Sequence, residues 1–421
     1  MSLWDFESAS RYVHDFALFE KSQQNDLIAL LNNSFPLDLF LTHKNKRAAA
    51  LRNTQTSRNI LSGSTQSFPP LLSADSCTPD FTLLRDCAVV FTAGGEGERL
   101  RQTLQESGVP QEQLRDFTKA TYPLPGFYKD FGALQTNLAL ITYLNKKYSV
   151  DIPVVVTTGP AGSTTARIIP KVIAANNTFG LSHIVVTEQS ERLHLTVDGT
   201  IACTFENNRP ILITNPDETG GPIMKLKEKQ PGSDQSILDT LISRGVKKIL
   251  CLQATALYHP DVIGLLAAAA ASHDGVGVGI ARAGFGANDP YGTFVLVKQG
   301  TAQKLVIIEQ TVRNDQTRTI KDSTGTVFLP YNTGLYAFDA KLLAGCDLPD
   351  YATPPKEVLP GLAKSPKIGY AATDILPFAK NPVVLALTSD MFAVIKTAED
   401  LNVLSFLGRN VGLDKICAGL I

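Results

Sequence analysis

Three features that would narrow the function at once are missing from this sequence of 421 residues: an excess of charge of one sign, a long apolar run and closely spaced cysteines. The formal net charge is −1, so no overall basic field favours nucleic acid or an anionic membrane as a partner. The most apolar helix-like stretch, residues 262–271, is too short and too rich in alanine to span a bilayer. Residues 1–20 lack the apolar core of a signal peptide. We therefore expect a soluble, cytoplasmic protein that binds neither nucleic acid nor membrane.

The six cysteines form no CxxC pair, and none of them stands at metal-ligand spacing from the six histidines. In a chain of this length, scattered cysteines indicate reduced thiols in the cytosol rather than a disulfide framework or a zinc site. Cys251 lies in the apolar run 249–252, which favours a buried core thiol over a reactive one.

Two common nucleotide-binding fingerprints are also missing. The chain has no P-loop, because the GK[ST] element is absent, and no GxGxxG at dinucleotide spacing. An NAD-dependent dehydrogenase is therefore disfavoured. A glycosyltransferase is disfavoured as well, because no acidic DxD-type metal motif stands out.

From residue 87 onward, apolar runs alternate with helix-like stretches. The runs lack polar alternation, which is typical of strands covered on both faces in a parallel sheet; they are 88–92, 154–157, 184–187, 248–252 and 276–281. The helix-like stretches between them are 132–145, 163–176, 233–244 and 261–272. This order predicts an α/β fold with a mostly parallel, Rossmann-like central sheet and helices on both faces.

The ends of the chain differ from this alternating part. Residues 1–59 show apolar residues at helical spacing, and residues 61–79 are rich in Ser, Pro and Gly, as in a connector. We expect an N-terminal helical segment and linker over 1–85, a catalytic domain over 86–380 and a short C-terminal segment over 381–421. The short last segment bears on oligomer contacts, and we expect a monomer or a weak homo-oligomer.

A glycine-rich loop follows the first buried strand. It contains Ala93, Gly94, Gly95 and Gly97, and Arg99 stands close behind. Glycines allow the backbone to turn tightly and to approach a ligand, while the amides of such a turn and of a following helix can hold phosphate oxygens. Arg99 adds a charge-assisted donor. A purely structural turn would explain the glycines alone equally well.

The spacing of this loop resembles the GGxGTRL motif of the sugar nucleotidyltransferases. Further segments resemble, in order, motifs of the UDP-sugar pyrophosphorylase family over about residues 87–400. They are FTKA at 117–120, LQ at 134–135 (family LFQ), VTTG at 156–159 (MTSG), EQ at 188–189 (QQ), NPDETGG at 215–221 (PDGNGG), YNTG at 331–334 (FNAG) and TDILPFA at 373–379 (FDIFQFA). The resemblance implies a central sheet of the nucleotide-diphospho-sugar transferase type.

The resemblance also implies a reaction in which UTP and a sugar 1-phosphate give a UDP-sugar and pyrophosphate. Such a reaction needs positioned cations rather than a covalent intermediate. By the resemblance, Arg99 would face the leaving phosphates, Lys119 would hold the α- or β-phosphate, and Lys367 stands at the place of a family lysine near the phosphates. Each lysine could instead be a surface residue.

Three other groups of residues follow from the same resemblance. Gln189 and the backbone of Gly220 and Gly221 would bind uracil, and Asn332 and Glu309 would hold sugar hydroxyls. Gln189 could equally be a polar loop residue, and Asn332 a turn residue. The implied cofactor is Mg²⁺, for which Asp374 is the candidate ligand.

Two positions depart from the family pattern. Glu98 replaces the usual threonine of the loop, and a carboxylate beside triphosphate is repulsive unless a cation offsets it. Ala254 stands where we place the family's metal aspartate, and a methyl group cannot bind Mg²⁺. The chain is therefore expected to be an active uridylyltransferase or, alternatively, a catalytically weak or inactive nucleotide-sugar-binding protein. The sequence leaves N-acetylglucosamine 1-phosphate and glucose 1-phosphate both open as substrates.

Overall fold

The computed structural model of the protein describes residues 3–230, 232–280, 291–310, 313, 315–321, 323 and 330–420. Its α-helices are α1 Phe6–Tyr12, α2 Lys21–Ser34, α3 Leu37–Gly63, α4 Glu98–Glu106, α5 Ala133–Tyr148, α6 Thr164–Ala175, α7 Gly221–Lys225, α8 Ile237–Ser243, α9 Asp261–Ser272, α10 Asp315–Thr319, α11 Ala340–Gly345, α12 Glu399–Asn410 and α13 Leu413–Leu420.

Its strands are β1 Thr65–Ser67, β2 Leu71–Ser73, β3 Cys87–Thr92, β4 Val154–Thr158, β5 Ile184–Glu188, β6 Glu191–Leu193, β7 Cys203–Glu206, β8 Arg209–Leu212, β9 Thr214–Pro216, β10 Lys248–Gln253, β11 Ala256–Tyr258, β12 Gly275–Ile280, β13 Thr293–Gln299, β14 Ala302–Ile308, β15 Tyr331–Asp339, β16 Tyr351–Ala352, β17 Ile368–Gly369, β18 Pro382–Leu387 and β19 Phe392–Val394.

These elements form two compact units, each built from separate stretches of the chain. Unit 1 comprises Met1–Leu61, Ser190–Gly221 and Leu348–Ala372. Unit 2 comprises Ser62–Gln189, Pro222–Asp347 and Thr373–Ile421. The division into 1–85, 86–380 and 381–421 considered only contiguous segments, and it stays a prediction.

Unit 2 contains the large sheet, whose central path runs β2-β18-β12-β15-β10-β3-β4-β5. The β10-β3-β4-β5 part is parallel throughout, and β12, β18 and β2 are also parallel to one another. Strand β15 lies between the two groups and is antiparallel to both β10 and β12. The predicted α/β class with a mostly parallel central sheet is confirmed. Each of the five predicted strands is present, with residue 281 outside the described residues, but β5 lies at the end of the sheet path and its residues are exposed or half-buried instead of covered on both faces.

The central strands form because their side chains are apolar on both faces. In β3, the residues Cys87 to Phe91 are all buried, as are all five residues of β4. Helix α5 covers this part of the sheet with a nearly continuous buried stretch, and its first turn is capped by Gln135, whose Oε1 accepts from the Gly132 amide at 3.0 Å. Residues 65–73, which we expected to be a connector, instead supply the short strands β1 and β2.

Unit 1 carries the N-terminal helices, with a small apolar core of its own. Trp4, the single tryptophan of the sequence, is buried there, and its Nε1 donates to the Phe35 carbonyl at 2.7 Å. Two-stranded antiparallel ladders complete the unit: β6 with β9, β7 with β8, and β16 with β17.

Two further expectations concern single features. The six cysteines are free, and Cys251 is buried, where burial raises the pKa of its thiol to about 12, as expected of a core thiol. No helix in the described part of the chain combines the length and the apolar composition needed to cross a membrane.

Candidate functional site

The glycine-rich loop lies where the carboxyl ends of four adjacent parallel strands meet, which we call the carboxyl edge of the sheet. Ala93 follows β3 and donates its amide to the Thr157 carbonyl at 2.8 Å, while Ala254 follows β10 and donates to the Thr92 carbonyl at 3.2 Å. In open α/β sheets, ligands bind outside the carboxyl ends of the strands. The loop therefore stands at the ligand-binding edge of the sheet.

Gly94 and Gln189 are in direct contact across this edge. A Cβ built on Gly94 would overlap the Oε1 atom of Gln189, and it would also lie 3.2 Å from the Gly159 amide nitrogen. The Gln189 side chain is buried, and the backbone amide of this residue donates to the Thr158 carbonyl at 3.1 Å. A side chain at residue 94 would therefore collide with Gln189 unless Gln189 moved, and the predicted phosphate loop touches the predicted uracil-binding side chain.

Gly97 turns the chain into α4. Its φ of 71° is left-handed, and a Cβ there would lie 2.9 Å from the Cβ of Lys119. Glu98 occupies the first turn of α4 and is exposed, where a carboxylate interacts favourably with the helix dipole. The unusual Glu98 therefore has a structural explanation, and Gly97 places Lys119 against the loop.

Three cations gather beside the loop. Burial lowers the pKa of Lys119, and the positive charges of Lys396 and Arg99 lower it further, whereas Asp400 acts in the opposite direction. Arg99 itself is exposed. Mutual repulsion among three cations opposes their convergence unless an anion shares the space, so the cluster has the electrostatics of a phosphate-binding site.

Lys396 is a member of this cluster that the sequence analysis missed. It follows the short strand β19, and its backbone amide donates to Asp400 Oδ2 at 2.8 Å near the start of α12. Its ammonium lies 3.7 Å from the centre of the Tyr291 ring, which stacks on Tyr331 with 4.6 Å between ring centres. A lysine directly after a strand and before a helix was the available sequence signal.

Tyr331 begins β15, so the YNTG motif at 331–334, the predicted sugar loop, lies at the start of a strand, and Asn332 has a fixed orientation there. The Oδ1 atom of Asn332 accepts from the Gly334 amide at 2.9 Å and from the Tyr336 hydroxyl at 3.1 Å. Because the carbonyl side is occupied by these donors, the Nδ2 group is the one that remains to donate to a ligand. Gln253, the last residue of β10, holds the same loop by donating to the Thr333 carbonyl at 2.7 Å.

Glu309 and Asp374 belong to the same neighbourhood. Burial raises the pKa of Tyr336 well above its usual value, and the nearby Glu309 and Asp374 carboxylates raise it further. Glu309 is exposed at the end of β14, with its Oε1 2.9 Å from the position of a Cβ on Gly292. The Gly292 carbonyl accepts from the Asn332 amide at 2.8 Å, so Glu309 lies near the sugar loop.

The remaining predicted residues, Gly220, Gly221 and Lys367, belong to unit 1. The Gly220 amide donates to the Tyr370 carbonyl at 2.7 Å, three residues beyond Lys367. A Cβ on Gly221 would overlap the side chain of Asp217, so a glycine is needed here as well. Within unit 1 the structure therefore brings the predicted base-binding glycines close to residues 365–370, the segment that contains Lys367 and that we call the lysine segment.

Neither a protein-family model nor a curated protein matches the sequence. Solved structures do match. The UDP-N-acetylglucosamine pyrophosphorylase of Trypanosoma brucei, in complex with an inhibitor, superposes with a TM-score of 0.65 at 15% identity, over 92% of this chain and 79% of that one. A mutant UDP-glucose pyrophosphorylase of Leishmania major, in complex with UDP-glucose, gives 0.57 at 13% identity, over 84% and 74%. Open and closed structures of the L. major enzyme give 0.59 at 15%, over 85% and 77%.

The fold is that of the UDP-sugar pyrophosphorylases. The fold and the sequence motifs thus point to the same group of proteins. Within this fold, the glycine-rich loop lies at the carboxyl ends of the parallel strands, where ligands of open α/β proteins bind.

Magnesium is the cofactor that the UDP-sugar pyrophosphorylase resemblance implies, and the donor set here is sparse. Burial raises the pKa of Asp374 to about 6, and a hydrogen bond with Thr373 acts in the opposite direction. Ala254 is fully buried beside the loop and offers only a methyl group. In the described residues, no three His, Cys, Asp or Glu side chains form a group able to hold a metal. Asp374 fits Mg²⁺ only as a single ligand that shares the ion with substrate phosphates.

Proposed function

We propose that the protein is a uridylyltransferase that forms a UDP-sugar and pyrophosphate from UTP and a sugar 1-phosphate. The observation that carries this proposal is the convergence of Arg99, Lys119 and Lys396 beside the glycine-rich loop, on the fold of the UDP-sugar pyrophosphorylases. A cation cluster at the carboxyl ends of parallel strands suits a reaction in which the attacking, transferred and leaving groups are all phosphates.

The proposed chemistry is a single in-line displacement. A phosphate oxygen of the sugar 1-phosphate forms a bond to the α-phosphorus of UTP. The bond from that phosphorus to the oxygen bridging the β-phosphate breaks, and pyrophosphate leaves with the electron pair. No proton has to be removed from an ionised phosphate, so catalysis consists of positioning and of stabilising negative charge.

Arg99, Lys119 and Lys396 would supply that stabilisation. Lys119 is half-buried, which strengthens its interaction with an anion, and Arg99 is exposed at the start of α4, where it can follow the leaving pyrophosphate. Lys396 would act beside Lys119, on which its charge acts. Its ammonium lies over the Tyr291 ring, next to the predicted sugar loop.

Uracil recognition is proposed for Gln189. Its side chain is buried and packed against Gly94, and an amide carries both a donor and an acceptor that can match the polar edge of uracil. A nucleotide-binding role is also proposed for the backbone of Gly220 and Gly221 and for the Lys367 ammonium, as the motif resemblance implies.

Sugar recognition is proposed for Asn332 and Glu309. The oriented Nδ2 of Asn332 is a donor and the Glu309 carboxylate is an acceptor, which together match the two roles of a sugar hydroxyl. N-acetylglucosamine 1-phosphate and glucose 1-phosphate are the proposed substrates. The TDILPFA segment resembles the motif of the N-acetylhexosamine branch of the family, which favours the first.

Magnesium is proposed to reach the site together with the phosphates, with Asp374 as its protein ligand. When bound, the ion would neutralise part of the phosphate charge. The alternative function, a nucleotide-sugar-binding protein with little catalysis, is favoured by one observation: the buried methyl group of Ala254 at the position of the missing carboxylate.

The test is an assay of pyrophosphate released from UTP and Mg²⁺ with a panel of sugar 1-phosphates, run beside calorimetric titrations of UTP and UDP-sugars. Release with one sugar well above the others would establish the activity and the substrate. No release with any sugar, together with clear binding of a UDP-sugar, would establish the binding protein instead.

A further inference from the structure

A buried imidazole in unit 1 connects two segments that are distant in the sequence. His194 directly follows β6 and is 1% exposed. Its Nδ1 lies 2.9 Å from the Asn215 side-chain nitrogen, and its Nε2 lies 2.7 Å from Ser365 Oγ. Both partners are themselves buried, so no water replaces these hydrogen bonds.

The two connected segments are the ones that carry predicted nucleotide contacts. Asn215 opens the loop that ends in Gly220 and Gly221, and Ser365 precedes Lys367 by two residues. Backbone hydrogen bonds join the same segments further along: the Tyr370 amide donates to the Asp217 carbonyl at 3.0 Å, and the Gly220 amide donates to the Tyr370 carbonyl. The imidazole and this backbone pair fix the two segments at two separate points.

The protonation state of His194 follows from its partners. The Asn215 side-chain nitrogen donates to Nδ1, so the imidazole carries its proton on Nε2 and donates it to Ser365. Burial lowers the pKa of His194, and the charges of Lys367 and Arg47 act in the same direction; together they outweigh the opposing effect of the hydrogen bond with Asn215, so the neutral ring that satisfies both partners is the favoured form. This ring has no free lone pair for a substrate and therefore does not act as a general base.

A second link leaves the same strand. The Arg192 guanidinium pairs with Asp350, and it lies 4.5 Å from the centre of the Tyr370 ring. Arg192 therefore supports the end of the lysine segment, whereas His194 supports its beginning. Each of the ladders β6–β9 and β16–β17 has its own backbone hydrogen bonds, and the side chains of His194 and Arg192 connect the first ladder to the segments that flank the second.

We propose that His194 is a positioning residue that holds Lys367 in register with the Gly220–Gly221 loop, so that both bind one nucleotide together. This inference rests on the proposed function. His194 touches no reacting group. It acts through Asn215 on the Gly220–Gly221 loop and through Ser365 on the segment that contains Lys367. None of the family motifs quoted above includes residue 194.

The two hydrogen bonds can be removed one at a time. In His194→Asn, the amide oxygen can replace Nδ1 and accept from Asn215, but Ser365 loses its partner. In His194→Gln, the longer amide can donate to Ser365, but Asn215 loses its partner. His194→Phe removes both bonds while keeping a ring of similar size. His14→Gln serves as the control, since His14 lies in the same unit, is partly exposed and pairs with the neighbouring Asp15.

Steady-state kinetics with UTP and the preferred sugar 1-phosphate should separate the variants. We expect His194→Asn to lower kcat about tenfold with KM for UTP near wild type, because the lysine segment shifts while the glycine loop stays. We expect His194→Gln to raise KM for UTP about tenfold with kcat largely kept, and His194→Phe to show both losses. Equal changes in kcat and KM across all three variants, or changes in melting temperature alone, would overturn the proposal.

Hydrogen exchange tests the link without any turnover. In the wild type, the amides of Gly220 and Tyr370 should exchange at similar rates, because they open together. In His194→Phe, both should exchange about tenfold faster, while the amides of β3 and β4 keep their rates. Unchanged exchange at Gly220 and Tyr370 would show that His194 does not position these segments. If the wild-type protein releases no pyrophosphate, the proposed function fails, whereas the exchange result still decides the positioning role.

Discussion

The Oε1 atom of Gln189 occupies the space that any side chain at residue 94 would need, because a Cβ built on Gly94 overlaps it. The obstructing atom is the far end of a flexible side chain, so the fold can accommodate a methyl group by moving Gln189. The displacement would fall on the residue proposed to bind uracil rather than on the core.

Gly94→Ala should therefore weaken UTP binding about tenfold and change the melting temperature little, a penalty of about 1.4 kcal/mol in binding. Calorimetric titration and a thermal melt measure the two effects. Gly345→Ala is the control, since a Cβ there meets no atom within 4 Å. A large loss of stability with unaltered UTP affinity would show that Gln189 does not bind the base.

The cation cluster makes a prediction about turnover. Arg99→Ala, Lys119→Ala and Lys396→Ala should each lower kcat/KM by on the order of 10²-fold, as expected for the loss of a positioned charge donor. The melting temperatures of Arg99→Ala and Lys119→Ala should not fall, because each change relieves repulsion at Lys119, whereas Lys396→Ala also loses the contact with the Tyr291 ring. Lys171→Ala on the exposed face of α6 is the control. If Lys396→Ala keeps wild-type turnover while the other two lose it, Lys396 is not part of the site.

Ala254 offers a direct test of the missing metal ligand. Ala254→Asp buries a carboxylate, which should lower stability by about 1–3 kcal/mol when no cation is present. Mg²⁺ with UTP should restore that loss, because binding to the folded state stabilises it. Thermal melts with and without Mg²⁺ and UTP give the comparison. Ala254→Asn should melt early in both conditions; a magnesium-dependent recovery of the Asn variant would contradict the role of the charge.

A fourth prediction concerns acid stability. Burial lowers the pKa of His43 from 6.5 to about 4, with the charges of Arg192 and Lys46 acting in the same direction. The unfolded chain therefore binds a proton more readily than the folded one below pH 6.5, so stability falls as the pH decreases toward 4. The contribution of this residue at pH 5 is about 2 kcal/mol. Denaturant unfolding at pH 7 and pH 5 should show a smaller decrease for His43→Gln than for the wild type; equal decreases would exclude His43 as the cause.

The central strands and the glycine-rich loop could be predicted because their patterns are local. A run such as 88–92 shows its burial in consecutive residues, and the glycines follow it directly. The position of β15 between β10 and β12 could not be predicted, since nothing in a strand's composition states its neighbours. The short strands β1 and β2 were missed for a related reason: they form only by pairing with β13 and β18.

The candidate site shows the same division. Motif matches found Arg99 and Lys119, but Lys396 lies 277 residues beyond Lys119 and reaches it only through space. His194 has no motif, and its partners lie 21 and 171 residues away. Residues that act by contacting distant segments leave no spacing in the sequence, so such roles emerge only from the three-dimensional arrangement.

The single tryptophan has a practical consequence for all of these measurements. Trp4 is buried in unit 1, so tryptophan emission is an optical probe of that unit alone. Unit 2 contributes only tyrosines, among them the stacked Tyr291 and Tyr331 near the cation cluster. A fluorescence melt excited at the tryptophan and a calorimetric melt would therefore report different parts of the same molecule, and any gap between the two curves would measure how independently the units unfold.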